Sequence, residues 1–201
     1  MPGFSLFWRY APVVTVPERL IDAATRLFAD KGYERVAVQE IVERAGVTKG
    51  AMYHYFGSKD DLLHEIYGRL LRMQTERLEK IASADGSVVE RLRDAAIDVI
   101  VTSVDNFDAA KVFFRSIDHL SAEKQKEVRA ERRRYHEKFR GLVEEGQRDG
   151  IFRADVPADL ATHYFFGSLH HLGTWYRPDG EIPAGRLAEH YADLLIHSLS
   201  V

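Results

Sequence analysis

Apolar residues recur along this chain at intervals of three and four, segment after segment, and no stretch alternates apolar with polar residues between turns. A period of about 3.6 marks one face of an α-helix, whereas a period of about 2 marks a strand. The expected fold class is therefore all-α. Prolines fall at the edges of the periodic runs, and glycines or hydroxyl residues close them. With 45% hydrophobic and 29% charged residues over 201 positions, the chain can bury a real core and does not read as disordered. No uninterrupted apolar run approaches ~18 residues, so no membrane span is expected. The absence of cysteine excludes disulfides and thiolate metal sites and suits a reducing compartment, which reads as cytoplasmic.

The first stripe, Leu20, Ile21, Ala24, Leu27 and Phe28, stops at Gly32. A second short helix runs through Val38, Ile41, Val42 and Ala45 and ends at Gly46. Thr48 offers a hydroxyl cap to a third, which closes near Tyr55 and Phe56. Ser58 caps a fourth, with Asp61 three residues on. Residues 82–87 form a polar break. Beyond it, helices are expected over about 88–105, 109–120, 122–149, 158–176 and 184–198. The expected division is an N-terminal arm over 1–16, aromatic through Phe4, Phe7, Trp8 and Tyr10, a helix-turn-helix unit over 17–62, and a helical body over 63–201.

The net charge of −3 does not announce a nucleic-acid binder, so charge has to be read locally. Residues 46–59 carry Lys49, His54 and Lys59 and no acid. Residues 121–149 look basic through Arg132, Arg133 and Arg134, but acids nearly balance them, and the run reads as a solvated helix face. Short helix, glycine turn, short helix over 38–55 is the helix-turn-helix pattern, whose second helix can enter a major groove. Thr48 stands where free N–H groups and the helix dipole favour a phosphate. Lys49 and Tyr53 lie one turn apart on one face, with Gly50 allowing close approach to bases. Met52, Tyr55 and Phe56 would anchor the opposite side. From spacing alone, a plain helical hairpin with a surface lysine explains the pattern about as well.

The run GVTKGAMYHYFGSKDDLL, within a longer match from Arg19 to Tyr67, closely resembles the DNA-binding domain of the TetR family of bacterial regulators. The match covers about a quarter of the chain. The resemblance implies a homodimer that reads a near-palindromic site on double-stranded DNA and is released by a small molecule. It implies that Thr48, Lys49, Gly50 and Ala51 face bases or adjoining phosphates, and that Tyr53, His54 and Lys59 grip the backbone. Tyr55 and Phe56 fall on mostly structural positions. One departure stands out. The family often has Thr or Ser just before the second helix, whereas Val36 and Ala37 stand here.

The C-terminal half is dense in aromatic residues. Most of them belong to a core on composition alone, but several are expected to line a pocket for an apolar effector. Phe113, Phe114, Phe166, His170 and Trp175 are the candidates, with His119 and His171 as further polar groups. The text ERRRYHEKFRGLVEEGQRDGIFRADVPADLA resembles the branch of the family that controls fatty-acid or sterol-ring degradation and answers to acyl-CoA thioesters. That likeness implies a basic residue such as Arg115 or Arg177 at the CoA phosphates. His163, His170 and His171 have helical spacing but no evident third ligand, so no metal is expected, and no cofactor. No Gly-rich phosphate loop, nucleophile elbow or HExxH run is present, so an enzyme is not expected. A third reading is an architectural dimer that binds DNA without an effector, which a sealed interior would favour. The last two helices are expected to form the dimer contact.

Overall fold

The computed structural model describes residues 15–201; the aromatic segment carrying Phe4, Phe7, Trp8 and Tyr10 lies outside them. Thr15 opens the first helix, α1 (Val16–Lys31). Its hydroxyl accepts from the Glu18 N–H at 3.4 Å, and the Glu18 carboxylate accepts from the Thr15 N–H at 2.7 Å. This reciprocal cap satisfies two N–H groups that a helix start leaves free. Helix α2 (Val38–Ala45) lacks a hydroxyl cap, since Ala37 stands at its start. Glu40 compensates in part by accepting from the Ala37 N–H at 3.2 Å. Gly46 ends α2 at φ 64°, a left-handed conformation that glycine adopts without penalty, and so turns the chain into α3 (Lys49–Tyr55).

Helix α4 (Lys59–Ala82) follows, then α5 (Val88–Asp105), α6 (Phe107–Arg115), a 3-10 turn (Ile117–His119), α7 (Ala122–Arg148), α8 (Ala158–His170), α9 (Leu172–Trp175) and α10 (Ala184–Leu199). Among the described residues there is no strand, only one isolated bridge between Phe152 and Ser200. None of their helices is long and apolar enough to cross a membrane.

Two cores form. The first gathers Leu20, Phe28, Ile41, Val42 and Met52 with Leu62, Ile66 and Leu70 of α4, and it also takes in Val112 and Phe113 of α6 and Val128 of α7. The second packs α5, α7, α8 and α10 around Phe139, Phe165 and Leu199, and includes Leu78 at the far end of α4. The two units suggested by the sequence therefore share α4. It runs unbroken past residue 62 and contributes to both cores.

Two expected helices break differently. The run expected over 109–120 starts at Phe107 and stops at Arg115. The Tyr67 hydroxyl donates to the carbonyls of Phe113 at 2.8 Å and Val112 at 3.2 Å; Val112 still accepts the Ser116 N–H at 3.0 Å, so the acceptor withdrawn from a continuing α-helix is Phe113. The run expected over 158–176 divides at His171. There the backbone tightens, with the His171 N–H donating to Ser168 only three residues back. The Ser168 and Thr174 hydroxyls bond to nearby carbonyls of Phe165 and His171, both at 2.7 Å, a competition that weakens regular helix.

Phe152 closes the second core over the last turns of α7. A Cβ on Gly146 would lie 2.1 Å from its ring, and Phe152 is only 3% exposed. Alanine favours helix over glycine by about 1 kcal/mol, but this clash outweighs that gain. Gly146→Ala is expected to destabilise the protein by about 1–3 kcal/mol, the usual cost of overpacking. Gly141→Ala, on the same helix with nothing within 4 Å of its Cβ, is expected to stabilise by up to about 1 kcal/mol. Urea denaturation of the two variants checks both signs, and a stabilised Gly146→Ala would contradict the packing.

Candidate DNA interface and effector pocket

Helix α3 is held by one face. Met52 is fully buried and Phe56 half-buried beneath it. The Thr48 hydroxyl accepts from the Ala51 N–H at 3.1 Å, which caps the helix. The opposite face is open: Lys49, Gly50, Tyr53 and His54 are exposed, and Ala51 is half-buried between the faces. Lys49 makes no hydrogen bond or ion pair among the described residues. Tyr55, expected among the anchors, is 50% exposed and sets its ring edge-on to His54 at 4.9 Å. The surface so built carries the Lys49 ammonium, the His54 imidazole, two phenols and no acid, a chemistry that suits phosphates and base edges.

Lys59 is turned the other way. Its ammonium donates to the carbonyls of Tyr33 and Val36, both at 3.0 Å, and lies 4.2 Å from the centre of the Tyr33 ring. Burial pushes its pKa down. The structure thus gathers Thr48, Lys49, Gly50, Ala51, Tyr53 and His54 on and around one helix. It does not bring the Lys59 ammonium to that surface. Replacing Lys59 with methionine would strand the Val36 carbonyl and leave the Tyr33 carbonyl only its bond from the Val36 N–H at 3.3 Å, and a loss of about 1–3 kcal/mol is expected. The change should appear in the melting temperature; an unaltered melt would show that the two bonds carry no weight.

A polar latch ties this head to the helical body. Lys124, near the start of α7, pairs with Asp60 at 2.7 Å and also with Asp61 in the first turn of α4. The Ser121 N–H donates to Asp60 at 3.2 Å, and His64 faces Glu127 at 3.2 Å. His119 is not in the pocket: its ring stacks on Tyr33 at 5.2 Å.

Four of the five expected pocket residues do converge. Phe113 meets Phe114 edge-on at 5.3 Å, Phe114 meets His170 at 4.5 Å, and Phe166 lies 6.5 Å from His170. Leu70, Leu71 and Gln74 of α4 complete the lining. Trp175 is not with them; it is 51% exposed on α9 against Tyr176. His171 is exposed. The enclosed space is about 20 Å³, room for about one water molecule.

Immediately outside lies a far larger trough of about 630 Å³ between α7 and α8. The basic run over 121–149, read from the sequence as a solvated face, supplies Arg129, Arg132, Arg133 and Arg140 to it. Arg115 and Arg177, expected near an anionic head, border neither space; Arg115 donates instead to the Gly173 carbonyl at 3.1 Å. These arginines and His136 fall at i, i+3, i+4, i+7 and i+11 on α7. That one-sided basic stripe was visible in the sequence, hidden by averaging its charge over all faces. Four residues, Arg132, His136, Phe166 and His170, belong to both the trough and the inner cavity and form the wall between them. His136 lies flat on Phe166 at 4.0 Å, and Arg132 Nη2 lies 3.0 Å from His170 Nε2. Among the described residues no group of three or more His, Asp or Glu is placed to hold a metal.

Burial, then the Arg132 charge, pushes His136 down to about 4 and His170 down to about 3, from 6.5. Folding therefore prefers both rings neutral. Their contribution to stability is complete above pH 6.5 and declines as pH falls toward the folded values, because the unfolded chain takes up protons that the folded rings refuse. The melting temperature is expected to fall between pH 6.5 and 4.5, above the range where carboxylates such as Asp61, held low by Lys124, titrate. A His136→Gln, His170→Gln variant should melt with a flatter pH profile, and an unchanged slope would contradict this assignment.

A recognition-type helix on a three-helix head, joined by a shared helix to a helical body with an aromatic interior, defines a helix-turn-helix regulator. Residues 20–66 match the family described as bacterial regulatory proteins, tetR family, and residues 85–199 match the tetracyclin repressor-like C-terminal domain. The chain belongs to the TetR family. It is 27% identical over 183 residues to the HTH-type transcriptional repressor KstR2 of Rhodococcus jostii, a match covering 90% of this chain and 89% of that one. The TetR-family regulator PfmR of Thermus thermophilus superposes with a TM-score of 0.83 at 31% identity, over 89% of this chain and 97% of that one. AibR, solved with isovaleryl coenzyme A and operator DNA, shares the fold with a TM-score of 0.79 at 22% identity, over 92% of this chain and 98% of that one.

Proposed function

We propose that this protein is a dimeric repressor that binds a near-palindromic operator through α3 and lets go when an acyl-CoA thioester occupies the body. The observation that carries the reading is that α4 and α7 are common to both ends. They hold the DNA-reading head at Asp60, Asp61 and Lys124, and they line the cavity through Leu70, Leu71, Arg132 and His136. A ligand that moves these helices apart moves the head. It acts only through its difference in affinity between the two arrangements.

On α3, Thr48, Lys49, Gly50 and Ala51 would meet bases and adjoining phosphates, with Tyr53 and His54 on the backbone. The α8–α10 face would make the dimer. Leu160 is 59% exposed, Tyr164 72% and Leu194 69%, an unusual concentration of bare apolar side chains on two neighbouring helices. Twofold pairing there would set the two recognition helices about one DNA turn, ~34 Å, apart. The thioester is supported by the aromatic cavity beside a basic trough and by the ligand bound to AibR. The small interior, about 20 Å³, favours a second reading, an architectural dimer with no effector.

Purified protein is titrated against its own upstream DNA at several salt concentrations, then with long-chain acyl-CoAs. Tight binding that weakens steeply with salt is expected, and an acyl-CoA should abolish it. Lys49→Ala should weaken operator binding by about 1–3 kcal/mol while leaving the melting temperature unchanged. Operator binding that no acyl-CoA disturbs would favour the architectural dimer. Binding indifferent to Lys49 across genomic fragments would count against α3 as the reader.

A further inference from the structure

Arg132 is a half-buried cation without an acidic partner among the described residues. Two other arginines of the stripe do have acids: Arg129 faces Asp118 at 3.8 Å, and Arg140 faces Glu144 at 3.0 Å and Asp159 at 3.6 Å. Arg132 instead holds a ring kept neutral by burial, His170, and stands 5.9 Å from the centre of the Phe113 ring. A guanidinium carries five donors in a fixed fork suited to phosphate or carboxylate. Leaving it partly desolvated with only a neutral acceptor and an aromatic face costs stability. Arg133, exposed on the rim of the same trough, has no ion-pair partner among the described residues either. The acids on that rim are Glu137 and Asp159, and Arg140 and His163 lie close to Asp159.

The position of Arg132 adds a second point. It belongs to the wall between a trough large enough for a polar head group and an apolar cavity too small, as it stands, for any acyl chain. The other parts of that wall are aromatic rings in side-chain contact: His136 lies flat on Phe166, and His170 is tilted against Phe114 behind it.

We infer that the effector enters from the trough between α7 and α8, that its phosphate-bearing head stays there, and that Arg132 exchanges His170 for that anion and so opens the way to the cavity. This rests on the effector reading above and narrows it to an amphiphile with an anionic phosphate head and an apolar tail. Once Arg132 swings outward, His170 and Phe166 are free to part, and the tail displaces them toward Phe113 and α4.

The test is calorimetric binding to full-length protein of palmitoyl-CoA and, separately, of adenosine 3′,5′-bisphosphate, a phosphate head without thioester or tail. Wild type, Arg132→Gln and Arg132→Lys are compared. Wild type should bind both, the thioester more tightly. Arg132→Gln should lose the bisphosphate and weaken the thioester at least tenfold, while melting no lower than wild type in the absence of ligand. Arg132→Lys should retain part of both affinities. Equal binding by wild type and Arg132→Gln, or no bisphosphate binding by wild type, overturns the anion site. Arg132-dependent binding of palmitoyl-CoA that leaves the operator complex intact keeps the site and removes the effector reading. Release of operator at equal thioester concentrations by wild type and Arg132→Gln does the reverse.

Discussion

Lys124 reaches from the start of α7 to two adjacent carboxylates in the first turn of α4, and the DNA-reading head is joined to the body through that contact. Asp60 and Asp61 sit where the α4 dipole already favours negative charge. Asp61 is also engaged by the Ser58 cap, at 2.8 Å. The ammonium therefore completes a small network rather than standing as an isolated surface pair, and networks of this kind hold geometry better than single exposed bridges. The Ser121 N–H adds a bond to Asp60 that has a fixed direction. Apolar contacts reinforce the join, since Val128 of α7 and Val112 and Phe113 of α6 lie in the same core as Leu20 and Met52. The head is not a bead on a linker. It shares its core with the helices that carry the pocket.

Eight residues separate Lys124 from Arg132, about 12 Å along a helix at 1.5 Å per residue. A rigid helix of that length transmits a tilt with little loss. The α4 helix offers a second lever, with Asp60 and Asp61 at one end, Leu70, Leu71 and Gln74 against the cavity, and Leu78 in the far core. Gln74 is buried and donates to Thr102 and Ser103 of α5 at 3.3 Å, which anchors the middle of this lever. A wedge between α4 and α7 near Arg132 would thus turn both helices about their packed far ends, with the displacement largest where they meet the head.

Most of the architecture was legible because it rests on local rules. Glycine at 32 and 46, hydroxyls at 48 and 58, and the three-four apolar spacing place helices without reference to the rest of the chain. The failures share a cause, contacts between residues distant in sequence. Helix α6 ends where the Tyr67 hydroxyl, more than forty positions away, takes the Phe113 carbonyl. Lys59 has the right charge in the right segment for a phosphate, yet its ammonium is engaged by the carbonyls of Tyr33 and Val36. Trp175 fits an aromatic pocket by type, but the break at His171 carries it to the surface. Phe113, Phe114, Phe166 and His170 were found because aromatic residues on core faces of neighbouring helices have few places to go except toward one another.

The arginine run shows most clearly what a one-dimensional reading loses. Summed over its length it is nearly neutral, and a nearly neutral helix looks like a solvated one. Folded, it divides into faces. Val128, Tyr135, Phe139 and Leu142 point into cores, while Arg129, Arg132, Arg133 and Arg140 border one trough. The charge is thereby concentrated against a wall of low polarity, where it interacts more strongly than in water. Of the two that are half-buried, Arg140 faces Glu144 and Asp159, whereas Arg132 has burial pulling its pKa down and no acid among the described residues to offset that. A protein selected for stability alone would be expected to place an apolar side chain or an acid there. That it keeps a guanidinium facing a neutral imidazole is understandable if the missing acid arrives with a ligand, and the wall is then a closed state held ready for its anion.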